Sequence, residues 1–431
     1  MMTQSFISSP ERSRMGQVQK RLVVPIGLLL VIISVVQTVT VRDSSATPNW
    51  SRKYNADCAM CHYPLPPRLN SFGLQFRWAG YRTPAEFNKD QDGTKVGDFL
   101  AARVTTQLAY QNNKGQLERT EFLLNDATLF YAGAVSRNFS ALFRPSYSSD
   151  GAVNVGGQIQ GVFGNEHQFF SFRTGQMSTL EFVGVGGLDR PTGASLPPIY
   201  SSALTNTLTS GGVPFNMVGA QKGIELAYAY GPGRLKGLVL NGVESSGFGT
   251  SRRVDIDADK DYVVAYEHIL DNIASAFTVF YYKGVTHGTV GLNSTGIPIS
   301  ATRRFDFSLL GVNINKVIPV GAWGYFELLG GYTRSYHNAP APSSDTEGNA
   351  FYVEAQQVFV GPELAFYERF SLIDQDAARN NTNRKVYTFG AATRIQTWSR
   401  LAVEYSYTDN RDREINAASG HSALVEFFVA F

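Results

Sequence analysis

Cys58-Ala59-Met60-Cys61-His62 is the stretch of this chain best equipped for chemistry, and it uses both of the protein's cysteines. C-x-x-C-H is the attachment signature of a c-type haem: two thioether bonds fix the porphyrin, and the adjacent imidazole takes one axial position on its iron. Residues three apart on a helical turn share a face, so both sulfurs can reach the two vinyl groups. The next residue is then placed to swing its ring toward the metal. Two other chemistries use similar spacings. A thioredoxin-like dithiol needs a βαβ setting, which the surrounding sequence lacks. A structural zinc needs two further Cys or His ligands, and none follows His62 closely. Cys58 and Cys61 are therefore the expected haem-attachment residues and His62 the expected iron ligand. One covalently attached c-type haem is the ceiling, because no third cysteine exists.

Covalent haem is attached outside the cytoplasm, so the chain must carry an address. Lys20 and Arg21 precede an apolar run from Leu22 to Val36, and Ser44-Ser45-Ala46 offers small residues for cleavage. That is the three-part pattern of a secretory signal peptide over 1–46. A retained membrane helix wants about 20 apolar residues, and this run is shorter and carries Pro25 and Gly27. Net charge is only +2, which implies neither nucleic acid nor an anionic surface as a partner. With no second long apolar segment, an exported membrane protein must be a closed barrel.

The rest of the chain has that periodicity. From about Asp98 it is a succession of short alternating segments separated by Gly, Asn, Asp, Ser and Pro clusters. Ile224, Leu226, Tyr228 and Tyr230 alternate with Glu225, Ala227 and Ala229; Leu401, Val403, Tyr405 and Tyr407 alternate with Ala402, Glu404, Ser406 and Thr408. Phe305, Phe307 and Leu309 alternate with Asp306 and Ser308, and Tyr387, Phe389 and Ala391 with Thr388, Gly390, Ala392 and Arg394. Apolar residues outward and small or polar residues inward are the pattern of outer-membrane strands of about 10 residues. The predicted fold is all-β: an antiparallel outer-membrane β-barrel of about 16 strands with a small N-terminal haem-binding plug. The division is 1–46 signal peptide, 47–95 monohaem cytochrome segment and linker, and 96–431 barrel. Glu225, Asp306, Arg394, Glu404 and Glu426 are expected on the lumen face. The final run places Val425, Phe427, Val429 and Phe431 together on one face. Connections are expected to be unequal: tight at Tyr230 to Gly233 and Thr397 to Ser399, long at Ser335 to Asn349 and longest at about Gln176 to Lys222. The longest is open between a lumen constriction and a surface lid.

The residues flanking the pentad carry more. Pro48-Asn49-Trp50-Ser51-Arg52-Lys53-Tyr54 leads into Cys58; after His62 come Pro67-Arg68-Leu69-Asn70, Phe72-Gly73, Phe76 and Gly80-Tyr81. Over residues 48–82 this order of motifs resembles the fused outer-membrane monohaem c-type cytochrome–porins of iron(II)-oxidising bacteria; two prolines before Arg68 are a small departure. The resemblance implies an outer-membrane oxidoreductase. Extracellular iron(II) is the donor, one haem held by Cys58, Cys61 and His62 is the relay, and a periplasmic c-type cytochrome is the acceptor. The alternatives are the same conduit with another donor or acceptor, and a diffusion porin with a haem-bearing plug.

A sixth iron ligand is not assigned. Met60 lies inside the motif and cannot easily reach the opposite face of the ring, which leaves Met177, Met217, His167, His268, His287, His337, His421 or water. A methionine would raise the haem potential. Asn88 to Gly93 resembles the opening of a calcium loop, but Phe99 stands where a bidentate Glu is needed. A polar linker is the better account there. Asp255, Asp257, Asp259 and Asp261 read as a solvated loop and strand start. Val183 to Gly187 lacks the strand–helix setting of a phosphate loop.

Overall fold

The structure, a computed structural model, describes residues 49–62, 68–147, 151, 153–178, 194–201, 220–242, 245–246, 253–254, 258–289, 301–338, 345–360, 363–378, 382–396, 398–410 and 419–431. The signal segment, Pro67, Met217, Asp255, Asp257 and the glycine run 183–187 lie outside these residues, as does the side chain of His287.

Three short helices are described: α1 (Asn49–Tyr54), α2 (Ser71–Trp78) and α3 (Pro198–Ser201). The strands are β1 (Leu100–Asn113), β2 (Arg119–Ala134), β3 (Phe139–Tyr147), β4 (Val153–Gly164), β5 (Gln168–Ser178), β6 (Ala220–Tyr230), β7 (Gly233–Leu240), β8 (Ser245–Ser246) and β9 (Arg253–Val254). They continue as β10 (Asp261–Ile269), β11 (Ala276–Thr289), β12 (Ala301–Val320), β13 (Gly324–Asn338), β14 (Thr346–Phe359), β15 (Leu364–Asp374), β16 (Asn383–Gln396), β17 (Ser399–Asn410) and β18 (Gly420–Ala430). All but the small β8–β9 ladder form one closed antiparallel barrel in which sequence neighbours pair, β7 pairs with β10 and β1 with β18. Sixteen barrel strands are thus present, as the alternation predicts. The seam is also closed at its end, where Ala102 and Phe431 exchange backbone hydrogen bonds of 2.7 and 2.9 Å.

The pleat sets the two faces. On β6, Ile224, Leu226, Tyr228 and Tyr230 stand outward and exposed while Glu225, Ala227 and Ala229 are buried; β10 does the same with Tyr262, Val264 and Tyr266 outward. An apolar exterior on a closed barrel is a lipid-facing surface. Among the described residues no helix is long and apolar enough to cross a membrane, so the strands are the spanning elements. Connections at 135–138, 165–167, 231–232, 270–275, 321–323, 360–363 and 397–398 are short and share one end with the start of β1 and the end of β18. The ends of β5, β7 and β11 and the starts of β6, β10 and β12, which 179–219, 241–260 and 290–300 connect, are at the other end. Outer-membrane barrels turn their short connections to the periplasm and their long ones outward. The strands run further than expected in places: β13 and β14 take up most of Ser335 to Asn349, because His337 and Thr346 are still lumen-facing partners in the ladder.

Asp306 is a correction. Phe307 and Leu309 are the buried inward residues of β12, with Leu310, Val312 and Ile314 exposed outside, so parity turns Asp306 to the exterior near the long-loop end. The lumen at that level is apolar and takes the two hydrophobic side chains instead. Glu225, Glu404 and Glu426 are buried as expected, and Arg394 is ion-paired with Glu363 of the β14–β15 turn. Asp261 is not solvated either: it is buried, accepting from Tyr282 Oη at 2.5 Å and Val285 N at 3.0 Å.

The lumen is extensively filled. Residues 194–201, part of the longest connection, fold into it. Ile199 and Tyr200 are fully buried in a cluster with Met177, Leu240, Phe280, Phe307, Leu329 and Tyr352. Tyr200 is hydrogen-bonded to Asn313, and Ser195 to Glu404. Arg369 holds the same segment through Ser195 O at 3.2 Å and Oγ at 2.8 Å, while pairing with Glu354 at 3.2 Å. Arg369→Met would leave Glu354 and Glu404 buried beside no guanidinium. Breaking a buried pair in this way costs about 3–5 kcal/mol. We expect a less stable barrel and, in planar bilayers, a larger single-channel conductance as residues 194–201 lose their anchor. Unchanged conductance would show that Ile199 and Tyr200 hold the segment alone.

Candidate haem site

The pentad folds as one tight turn. Cys58–Met60 is a single 3₁₀ turn with Asp57 as its N-cap, accepting from Ala59 N at 2.8 Å. Cys61 N and His62 N both donate to Cys58 O, at 3.1 and 2.8 Å. The turn is thus 3₁₀ rather than the α-helical turn expected from spacing, with Cys61 as its C-cap.

Asn70 fastens this turn to α2. It caps the helix by accepting from Gly73 N at 2.8 Å, and its amide donates to Ala59 O at 3.1 Å and Met60 O at 3.0 Å. Its backbone N–H adds a bond to Cys61 O at 2.9 Å. Gly73 makes the approach feasible: a Cβ there would lie 2.3 Å from Cys61 O. The Asn and Gly of the sequence motifs thus act on the Cys58–His62 turn itself.

His62 is held from behind. Its Nδ1 lies 3.1 Å from Arg68 O, and His62 and Leu69 form an isolated antiparallel bridge. A carbonyl can only accept, so Nδ1 carries the proton and the lone pair is on Nε2, the nitrogen suited to a metal. Metal-ligating histidines characteristically donate their other N–H to such an acceptor. Arg68 in turn is fully buried, donating to Glu327 at 2.9 Å and to Ala274 O at 2.6 Å.

The plug crosses the short-turn end of the barrel. At the start of α2, Ser71 N donates to Ile273 O at 3.0 Å and its hydroxyl to Asp271 O at 2.5 Å. At its end, Gln160 donates to Trp78 O at 2.8 Å, and the Arg234 guanidinium sits 6.0 Å from the Trp78 ring. Gly80 and Tyr81 have left-handed backbone. They reverse the chain so that buried Arg82 reaches Ser140 at 2.7 Å and Ser136 O at 3.0 Å. Burial brings the Arg82 guanidinium down to about 10.

Arg52-Lys53-Tyr54 is a docking element. Arg52 donates to Gly97 O at 3.1 Å and also bonds Leu100 O; Lys53 and Tyr54 both donate to Glu86 at 2.8 Å. Burial pushes Glu86 upward, but the bonds from Lys53, Thr83 N and Tyr54 outweigh it and hold the carboxyl below its ordinary range. Tyr54 is raised, first by burial and then by Glu86. Trp50 stacks on Tyr81 at 4.9 Å and meets Phe76 edge-on at 5.3 Å. In the segment that follows, Asp92 accepts from Thr94 N at 3.1 Å, and Phe99 is a core residue.

Burial raises both thiols. The Cys61 thiol reaches about 11, with Cys58 as second cause, and Cys58 is raised by burial and then by Asp57. Redox-active dithiols have lowered values instead. Trp50, Tyr54, Met60, both sulfurs and His62 line one cleft of about 50 Å³. Cofactor pockets are typically about 300–1,000 Å³, so the donor set fits a c-type haem while the cleft does not envelop one. Among the described residues, the structure does not bring these distal candidates to His62. Met177 and His337 lie at the long-loop ends of β5 and β13; His268 and His421 face outward against Tyr266 and Tyr405; His167 is an exposed turn residue beside Glu166. The residues that sequence reasoning missed are Glu327 and Asn315, lumen-facing polar residues on β13 and β12, whose tie to the plug no local spacing announces.

No protein-family model matches the chain, and no curated protein is significantly similar to it. Solved structures share its fold. An anion-selective porin from Comamonas acidovorans has 15% identity and a TM-score of 0.53 over 77% of this chain and 98% of its own. Pseudomonas putida OprB has 9% identity and a TM-score of 0.53 over 77% and 94%. The chain therefore has a porin-like outer-membrane barrel fold.

Two outcomes follow from the plug. Gly73→Ala should part α2 from the haem turn and lower covalent haem per folded barrel several-fold, read as the pyridine haemochrome yield. A wild-type yield would mean that the turn tolerates the methyl. Glu86 has a folded value below its unfolded one, so its contribution is complete above the unfolded carboxylate value of about 4.3 and is lost as pH falls through the folded value. Local opening of Asn49–Tyr54, read as amide exchange divided by the intrinsic rate at each pH, should therefore be flat from about pH 5 to 8 and rise toward about pH 3. Glu86→Gln should remove most of that rise.

Proposed function

We propose that this chain is an outer-membrane c-type cytochrome fused to a porin-like barrel, oxidising extracellular iron(II) one electron at a time for a periplasmic cytochrome. Cys58 and Cys61 would hold the haem by thioethers and His62 would bind its iron. When bound, the group supplies a one-electron couple. The observation that supports the reading is the setting of His62: a ring that follows both cysteines in one tight turn, with Nδ1–H donating to Arg68 O at 3.1 Å, as metal-ligating histidines characteristically do.

The plug's position constrains the partners. It lies at the short-turn end, so a periplasmic carrier would meet it directly, whereas iron(II) would have to descend the lumen. The wall formed by β1, β2 and β18 suits that path best: Arg103 and Asp126 are partly exposed there, while the ion pairs on β5 to β10 are buried. Asn70 and Gly73 would keep the haem turn rigid against α2. Rigid positioning and low reorganisation are what outer-sphere transfer requires of a protein.

The second reading is a diffusion porin with a haem-bearing plug, which the fold shared with the Comamonas acidovorans porin accommodates equally well. Anaerobic mixing separates them. Iron(II) should reduce the haem of the purified, oxidised protein, and a periplasmic-type cytochrome c should reoxidise it. Protein with no thioether-shifted haemochrome band, or with ion-selective conductance and a haem inert to every donor, would overturn the redox reading. A haem reduced by another donor but not by iron(II) would overturn the substrate alone. His62→Ala should abolish the normal reduced spectrum while the barrel still inserts.

A further inference from the structure

We infer that Arg68 is a positioning residue through which the barrel wall sets the state of the His62 ligand. The inference rests on the haem assignment proposed above and adds a connection between two structures that sequence keeps far apart. On one side, the Arg68 main chain supplies the carbonyl that accepts from His62 Nδ1 at 3.1 Å. On the other, its guanidinium is buried against the barrel, with Nη2 donating to Glu327 Oε1 at 2.9 Å and Ala274 O at 2.6 Å. Asn315 repeats both contacts, donating to Glu327 at 3.0 Å and Ala274 O at 2.6 Å. A strand of the wall, a second strand and the β10–β11 turn therefore converge on the residue that orients the histidine.

Stability is a poor explanation for this arrangement. Both side chains of the pair are fully buried, and Nε and Nη1 of Arg68 and Oε2 of Glu327 have no hydrogen-bond partner. Desolvating two ions with incomplete hydrogen bonding often makes a pair less stable than an apolar replacement. Such a pair does fix position, because the fork geometry of a guanidinium tolerates little displacement. Held at the wall, Arg68 cannot withdraw its carbonyl from His62 unless the plug lifts from Glu327. An acceptor on Nδ1–H makes Nε2 more basic and orients the ring. A more basic axial nitrogen favours oxidised iron, so losing the acceptor moves the midpoint potential upward.

The test uses the full-length haem protein in detergent, comparing Arg68→Met and Glu327→Gln with the remote surface variant Arg334→Gln. Haem per barrel, heat-modifiable mobility, spin state by electron paramagnetic resonance and midpoint potential are measured. Arg68→Met and Glu327→Gln should both keep covalent haem and a folded barrel, raise the midpoint and introduce a high-spin fraction. Arg334→Gln should match wild type. Glu327→Gln, which keeps size and shape, decides the matter if Arg68→Met does not fold. Attached haem with wild-type spin state and midpoint in that variant overturns the inference and leaves the haem assignment standing. Absence of covalent haem from the wild-type protein overturns both.

Discussion

A closed sheet of sixteen strands encloses more space than its own inward side chains can fill, and the chain meets that constraint with three different materials. Around β6 to β15 the filling is hydrophobic, with Ile199 and Tyr200 of the inserted segment completing a core of wall residues. Next to it Arg173, Glu225, Arg234, Glu267 and Lys236 form a chain of buried pairs, such as Arg173–Glu225 at 2.7 Å and Lys236–Glu267 at 3.1 Å. At the short-turn end the filling is α2. Buried charge must be paired, and the alternation of sign along β5, β6, β7 and β10 follows from that rule. Mixed lumen charges in this protein are thus as much a packing solution as a selectivity filter.

The same constraint decides where the Cys58–His62 motif goes. A plug placed ahead of β1 is tethered to the end where β1 begins, and a chain with an even number of strands brings its last residue back to that end. Ala102 and Phe431 are neighbours there, and the turns that hold α2 are at the same end. Asn70 then ties Cys58–Met60 to the helix that the turns have fixed.

Much of this was legible in the sequence. Period-two alternation is a local signal, so strand number, face and the closing strand followed from it directly. Asp306 shows where it fails: alternation assigns two faces but not which is inward, and Phe305-x-Phe307-x-Leu309 looks like a lipid face although the lumen at that level is apolar. The fate of residues 194–201 was illegible, because it depends on Arg369 and Glu404 on strands far along the chain. Cys58, Cys61 and His62 were legible as chemistry because their spacing is itself the requirement. Arg68 was visible only as a motif residue. Its partner Glu327 lies 259 positions away, beyond anything spacing can express.

A fold shared with porins does not settle what the mouth of this barrel is for, since function resides in sites placed on folds. A segment serving only to fill a lumen needs volume and a few anchors. This one has those in Trp78, Arg82 and Ser71. It also has features that filling does not call for. Gly73 gives up a side chain so that α2 can touch the carbonyl of Cys61, Asn70 spends a cap and two amide bonds on the same turn, and the His62 tautomer is fixed by a carbonyl whose residue is fastened to the wall. Each of these constrains the pentad rather than the pore. The order Arg-Lys-Tyr, C-x-x-C-H, Arg-Leu-Asn, Gly and Gly-Tyr therefore reads as a set of instructions for holding one turn still, with the barrel as the frame against which it is held.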